Sequence, residues 1–151
     1  DFIGSDHAPF TLEEKMQGQD DIFKAFCGFP GVDTRLPLML DAAANGKTTL
    51  KRVIELLCTN PAKCFNIYPQ KGILAAGADA DIVVFDMNDT MTIDRTKSYS
   101  MAREIARVYD GRELKCKLNY TIVRGRVLME DGVVDTEAKG YGELVKPAEK
   151  V

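Results

Sequence analysis

The stretch that decides the fold is the first ten residues, Asp1-Phe-Ile-Gly-Ser-Asp-His-Ala-Pro-Phe10. A short apolar run leads through a Gly-Ser pair into Asp6, His7 and a proline turn. A buried parallel strand ends in this way when it delivers a carboxylate to the mouth of an α/β barrel. We therefore predict a strand over residues 2–5. Because such a strand needs partners, we expect this chain to be the C-terminal part of a larger protein.

The composition is that of an ordinary globular protein, with 45% hydrophobic and 28% charged residues and a net charge of -3. Lys and Arg are scattered rather than clustered, so no nucleic-acid partner is expected. No apolar run is long enough to span a bilayer, so no membrane partner is expected either. The four cysteines include no Cys-x-x-Cys pair, which disfavours a zinc knuckle and suits a reducing cytoplasm. We predict a cytoplasmic location.

The first half predicts a long loop and then helices. Residues 7–33 contain many chain breakers, and a loop of this length is usually functional. Apolar spacing predicts helices over residues 34–45, 49–58 and 60–65. Asp33 or Thr34 could cap the first helix, and Asn60 could cap the third. The apolar faces of the helices are expected to need a partner surface outside this chain, at Leu36, Met39, Leu40, Val53 and Leu57.

The second half changes to the period of β-structure after Pro69. Residues 72–86 and 118–134 are predicted to be β-structure in one sheet assembly, and Asp131-Gly132 indicates a hairpin turn. A polar tail from Asp135 is expected to run over the surface. The chain thus divides into a first unit of residues 1–67 and a second of residues 68–151.

Four segments in this order resemble a known family: Gly4 to Phe10, Gly28 to Leu38, Thr59 to Phe65 and Lys71 to Asp86. They are similar to the amidohydrolase superfamily. Within it they resemble the cyclic-amide hydrolases, which include dihydroorotases, hydantoinases, dihydropyrimidinases and allantoinases. The resemblance implies an α/β fold, namely a (β/α)8 TIM barrel with a small β-sandwich. Residues 1–67 would close the barrel, and residues 68–151 would belong to the sandwich.

The resemblance also implies a metal cofactor and partners. Family members use a binuclear centre of divalent metal, usually two zinc ions. The other ligands are a His-x-His pair, a carboxylated lysine and two histidines, all upstream of the matching region, and this chain has a single histidine. We therefore expect the upstream barrel segment of the same protein as a partner, a homo-oligomer at full length, and no activity from this chain alone.

Asp6 matches the catalytic aspartate of the family, at the edge of the metal centre. There it would be a metal ligand that accepts the proton of a metal-bound hydroxide and passes it to the leaving ring nitrogen. From the residues alone, an aspartate that caps the following turn is the favoured interpretation; the resemblance favours catalysis. His7 should point away from Asp6 along a strand, which predicts a packing or supporting role.

Three residues are predicted to contact a small cyclic amide: Cys27, Gly28 and Phe10. The first two match a family loop whose backbone hydrogen-bonds the ring, and glycine permits close approach. Phe10 stands where many dihydroorotases have a carboxylate-binding histidine, which favours a neutral ring substituent. The segment from Thr34 to Leu38 instead resembles dihydroorotases and allantoinases, so the substrate stays open. Asp79 and Asp81 are interpreted as turn residues rather than metal ligands.

The leading functional hypothesis is metal-dependent hydrolysis of a cyclic amide or ureide C–N bond. A non-catalytic amidohydrolase-like scaffold or assembly protein is the alternative, and retention of Asp6 favours the enzyme. A free-standing β-domain that acts as a binding module is disfavoured, because residues 2–67 follow the pattern of a barrel.

Overall fold

The computed structural model describes residues 1–148, with every helix of four or more residues before residue 65 and every strand after residue 81. The α-helices are α1 Leu12–Met16, α2 Val32–Ala44, α3 Leu50–Ile54 and α4 Asn60–Cys64. The strands are β1 Ile82–Asp86, β2 Met91–Thr92, β3 Glu113–Leu114, β4 Lys117–Val123, β5 Arg126–Glu130 and β6 Val133–Val134. Single 3-10 turns occupy Ile22–Lys24, Arg95–Lys97 and Arg103–Ile105. No helix in residues 1–148 has the length and hydropathy needed to cross a membrane.

The predicted strand over residues 2–5 is wrong. The segment makes no ladder, and one isolated parallel bridge joins His7 to Phe29. The N–H of Ile3 donates instead to the carbonyl of Leu56, at 3.1 Å. A strand needs a neighbour to pair with, and the described residues place a helical residue, Leu56, beside this segment rather than another strand.

Helix α2 begins at Val32, two residues before the predicted start, and neither Asp33 nor Thr34 is its cap. Its N-cap is Gly31, which has no side chain to contribute. The free N–H of Val32 donates to Nδ1 of His7 at 3.3 Å, so a distant side chain serves as the cap. Asp33 is otherwise engaged, because its carboxylate accepts a hydrogen bond from the Ser98 hydroxyl.

The second and third predicted helices are one continuous helical segment. A π-helical turn over Glu55–Thr59 joins α3 to α4, and Asn60 has helical dihedral angles rather than those of a cap. The cause is Pro61, whose ring would clash with the carbonyl of Leu57 in a regular α-helix. The wider π turn accommodates the proline without ending the helix.

The second half forms an antiparallel sheet in the order β1-β4-β5-β6, and β2 pairs with β3 in a separate two-stranded ribbon. The prediction of one sheet assembly is confirmed for residues 82–86 and 117–134. The predicted hairpin turn is also confirmed, with positive φ at Asp131 and Gly132. Residues 72–81 are turns and not strand, which corrects the predicted start of this β-structure.

The hydrophobic core joins the two halves of the chain. Leu40 and Val53, each 1% exposed, pack with buried residues of the second half: Ile93, Leu114 and Cys116. The expectation that Leu40 and Val53 would lack a covering surface is therefore wrong. An open cleft of about 480 Å³ lies between the helices and β1. The exposed apolar side chains that surround it are Leu50, Ile54, Phe65, Leu74 and Val83.

One buried carboxylate also connects the halves. Asp41 in α2 is 5% exposed and accepts hydrogen bonds from the Lys115 N–H, the Arg112 guanidinium and the Asn45 amide, at 3.1, 3.1 and 2.9 Å. The Lys115 N–H is the main reason that the pKa of Asp41 lies below its usual range, with Arg112 and Asn45 adding to it against the opposing effect of burial.

The predicted surface tail is anchored at two places. The Arg124 guanidinium lies 4.3 Å from the ring centroid of Tyr141, whose hydroxyl donates to the carbonyl of Val123 at 3.2 Å. Further on, the N–H of Ala148 donates to the carbonyl of Asn66 at 2.8 Å. The last part of this tail, residues 149–151, lies outside the described residues, and the boundary between units at residues 67 and 68 stays a prediction.

Candidate active site

The backbone of Asp6 is in the left-handed region, with φ of 44°. Aspartate tolerates this region better than most residues. Its side chain is exposed, and its carboxylate accepts no hydrogen bond from any group in residues 1–148. The carboxylate therefore does not cap the turn that follows. Both of its oxygens are open to a ligand.

His7 supports the site rather than lining it. Its Nδ1 accepts the hydrogen bond from the N–H of Val32, and its backbone forms the bridge to Phe29. This is the packing role that the sequence predicts. The residue thereby fixes the start of α2 against the segment that carries Asp6.

The loop over residues 26–29 lies directly against the segment after Asp6. The N–H of Ala8 donates to the carbonyl of Phe29 at 3.2 Å. Gly28 has φ of 141°, and a side-chain carbon placed there would lie 2.2 Å from Cβ of Ala8 and 3.1 Å from the ring of Phe10. Glycine is therefore required at residue 28 by both conformation and space. The structure thus brings together Phe10, Cys27 and Gly28 as neighbours.

The remaining side chains of this loop are arranged around Phe10. Its ring lies 5.2 Å from that of Phe26, centroid to centroid. Cys27 is exposed, and its nearest polar contact is between Sγ and the carbonyl of Ala25 at 3.8 Å. The backbone of Cys27, rather than its thiol, is the part that the loop geometry constrains.

Helix α1 was missed in the sequence, although a signal for it is present. Thr11 and Glu14 form a reciprocal capping box, in which the Glu14 N–H donates to Thr11 Oγ1 at 3.2 Å and the Thr11 N–H donates to Glu14 Oε2 at 2.7 Å. The Thr-x-x-Glu spacing is characteristic of a helix start. The backbone hydrogen bond from Thr11, followed by that of its hydroxyl, lowers the pKa of Glu14. This helix places Lys15 beside the loop.

The described residues do not by themselves form a metal site. No group of three or more His, Cys, Asp or Glu side chains lies together within residues 1–148. Asp6 contributes a single carboxylate, whereas a catalytic zinc takes about three protein ligands. The acidic pair Asp79 and Asp81 forms ion pairs with Lys71, which contacts both carboxylates, so these oxygens serve a structural contact. Asp6 therefore needs ligands from outside these residues to hold a metal.

The apolar cleft is not the candidate active site. It is lined by residues of α2 to α4, the turns over residues 71–74 and β1. None of Asp6, Phe10, Cys27 and Gly28 lines it. The candidate catalytic and substrate-binding residues and the apolar cleft are thus separate features of the described residues.

Residues 1–128 match the family model described as the amidohydrolase family. The chain belongs to this family.

The relatives of this chain include a hydantoinase and a dihydroorotase, which are enzymes that act on cyclic amides. The chain is 38% identical to an L-hydantoinase from Paenarthrobacter aurescens over 146 residues, which is 96% of this chain and 31% of that protein. It is 39% identical to a dihydroorotase from Methanosphaera stadtmanae over 134 residues, 89% of this chain and 30% of that protein. The structure superimposes on a D-hydantoinase from a Thermus species with a TM-score of 0.87 and 30% identity, covering 97% of this chain and 32% of that one. The chain thus spans about a third of the length of these relatives.

Proposed function

We propose that this chain is the C-terminal part of a metal-dependent enzyme that hydrolyses the C–N bond of a cyclic amide or ureide. In this proposal it closes a (β/α)8 barrel and supplies one part of a β-sandwich. Similarity to hydantoinases and a dihydroorotase supports the reaction class. The proposal extends to a homo-oligomer at full length and to a cytoplasmic location.

The observation that supports the proposal is that the Asp6 carboxylate is exposed and makes no hydrogen bond within the described residues. A carboxylate that takes up a proton in a reaction needs a free lone pair within hydrogen-bond reach of that proton. The Asp6 carboxylate is exposed and accepts no hydrogen bond within residues 1–148, although its backbone has a left-handed conformation, with φ of 44°. An aspartate with a capping role would accept a hydrogen bond from a nearby backbone N–H.

Each site residue has a role in this proposal. Asp6 takes the proton of the attacking water on a carboxylate oxygen and returns it to the ring nitrogen as the C–N bond breaks. The backbone of Cys27 and Gly28 holds the ring amide. Phe10 packs against a neutral part of the ring, since its side chain cannot pair with a carboxylate. A divalent metal pair, expected to be zinc, would supply the activated water and would take its remaining ligands from outside the described residues.

The test uses the full-length protein that contains this chain. Hydantoin, dihydrouracil, dihydroorotate and allantoin are offered as substrates, and Asp6→Asn is compared with wild type. Loss of a general acid–base group should lower kcat by about a thousand-fold while metal content, measured by elemental analysis, is mostly kept. Asp20→Asn is the matched control, because Asp20 is an exposed aspartate in the same loop region. We expect its kcat to equal that of the wild type.

Two results would count against the proposal. Near-full turnover by the Asp6→Asn variant would remove the catalytic assignment. A full-length wild-type protein that binds no metal and hydrolyses none of the four rings would instead support the non-catalytic scaffold.

A further inference from the structure

Lys15 is tied to the loop that contains the proposed ring-binding residues. From α1, its ammonium donates to the carbonyl of Phe26 and to the carbonyl of Gly28, the second at 2.7 Å. The same ammonium lies 5.5 Å from the ring centroid of Phe10. Lys15 is only partly exposed, and one cation thus contacts residues on either side of Cys27 together with Phe10.

These contacts determine the direction of a backbone donor. In a planar trans peptide the C=O and the N–H point in opposite directions. The only cis peptide among the described residues joins Tyr68 to Pro69, so the peptide between Phe26 and Cys27 is trans. Because Lys15 holds the carbonyl of Phe26, the N–H of Cys27 must point away from Lys15. That N–H has no protein acceptor in the part of the chain that the structure describes.

Helix α1 holds Lys15 beside the loop. The capping box of Thr11 and Glu14 begins α1 and sets the position of the helix. The backbone of Lys15 is thereby held at a fixed place, from which its ammonium reaches the loop. An ammonium carries three donors and no acceptor, which suits the binding of two carbonyls at once. Lys24, the other lysine of this region, contrasts with it: its side chain is 71% exposed and, within residues 1–148, pairs only with Asp21, at 3.6 Å.

We propose that Lys15 is a positioning residue for substrate binding, which holds the loop so that the N–H of Cys27 points at a carbonyl oxygen of the bound ring. The inference rests on the proposed function and adds to it a residue that does not touch the substrate. Lys15 acts on binding and not on proton transfer, because its contacts are with the loop backbone and the Phe10 ring and not with Asp6. Its loss should therefore change KM more than kcat.

The experiment compares Lys15→Met, Lys15→Arg and Lys24→Met in the full-length protein, with hydantoin or whichever ring of the panel is turned over. Methionine keeps the apolar stem but removes the donors. Losing charge-assisted hydrogen bonds to the loop should raise KM by about ten-fold, with kcat within about three-fold of wild type. Arginine, which can also donate to two carbonyls, should restore most of the change. Lys24→Met should behave as wild type.

A second measurement needs no activity. Chymotrypsin can cut after Phe26 only if it binds the carbonyl that Lys15 holds. Cleavage there, relative to cleavage after the exposed Tyr99, should rise in Lys15→Met and stay unchanged in Lys24→Met. If Lys15→Met does not fold, Lys15→Gln, which keeps one donor group, is measured in the same two assays and should show smaller changes in the same direction.

The outcomes separate the two proposals. Faster cleavage with an unchanged KM would show that Lys15 holds the loop but does not position a substrate donor, and would overturn the inference while leaving the proposed function intact. An equal loss in Lys24→Met, or a fall in kcat at constant KM, would also overturn it. Failure of the wild type on every ring would refute the proposed function, and the role in substrate binding with it, whatever the cleavage assay shows.

Discussion

Replacing Asp41 by asparagine should loosen the contact between the helices and the second half of the chain. One oxygen, Oδ1, accepts from the Lys115 N–H and the Asn45 amide, while Oδ2 accepts from Arg112 at 3.1 Å. Asparagine keeps one carbonyl oxygen for the first two donors. Its NH2 group then faces the Arg112 guanidinium, so a donor meets a donor and the charge-assisted bond is lost.

The expected loss of free energy is that of the single hydrogen bond between Arg112 and Asp41. A hydrogen bond to a charged group contributes about 1.5–3 kcal/mol. The Arg112 side chain is 45% exposed, so solvent screening places the loss near the lower end, at about 1.5 kcal/mol. A tenfold change in an equilibrium corresponds to about 1.4 kcal/mol, so local opening should become about ten-fold more frequent.

The effect should depend on pH. The pKa of Asp41 is lowered in the folded protein, mainly by the Lys115 N–H. Its ionised form therefore stabilises the fold fully above the unfolded pKa of about 4, and this contribution is lost as the pH falls through the lower folded value. The difference between wild type and Asp41→Asn should be constant near neutral pH and should shrink below about pH 4.

The assay is amide hydrogen exchange in the full-length protein, read at the Lys115 N–H that Asp41 accepts. This amide should exchange about ten-fold faster in Asp41→Asn. Asp110→Asn is the matched control, because Asp110 also pairs with an arginine but is 36% exposed, and it should change the rate at Lys115 by less than about three-fold. Equal rates for wild type and Asp41→Asn, or a difference that grows in acid, would refute the reasoning.

Two further predictions concern the core and the isolated chain. Leu114 is 0% exposed, so Leu114→Ala should lower the free energy of unfolding by about 3 kcal/mol in denaturant titrations. Leu144 is 89% exposed, so Leu144→Ala should change it by less than about 0.5 kcal/mol. Similar losses in both variants would contradict the assigned core. The 151-residue chain purified alone should hold only substoichiometric zinc by elemental analysis and hydrolyse no cyclic amide, because Asp6 alone cannot ligate the metal. Stoichiometric zinc together with turnover would contradict this.

Local patterns predicted much of the secondary structure. The apolar spacing of residues 34–45 predicted α2 to within two residues at its start, because a helix that buries one face must repeat near every 3.6 residues. Asp131-Gly132 predicted a hairpin turn, because few residues other than glycine, asparagine and aspartate accept positive φ at both central positions. These features depend on neighbours along the chain, so the sequence contains their causes.

Features that depend on distant neighbours were missed. The strand expected over residues 2–5 is absent, since a ladder requires a partner that residues 1–148 do not place beside it. The sequence favours Asp33 or Thr34 as the cap of α2, but the N-cap is Gly31, and the N–H of Val32 donates to His7, 25 residues away. Leu40 and Val53 were expected to be uncovered, and residues of the second half cover them.

The candidate site divides in the same way. Asp6, Phe10, Cys27 and Gly28 were all selected from the sequence, because motif order and residue chemistry are sequence properties; their roles stay predictions. Only the tertiary structure shows that Gly28 packs against Ala8 and that Lys15 holds the carbonyls around Cys27.

The sequence by itself determined helix α2 and the Asp131-Gly132 turn, which family the chain resembles and which carboxylate could act in a reaction, because each depends on local spacing and residue type. The tertiary structure alone decided that Asp41 joins the two halves, that Lys15 holds the loop and that the apolar cleft lies away from Asp6. These depend on which side chains meet across tens of residues. Close packing and the pairing of buried polar groups settle such contacts only when the whole chain has folded.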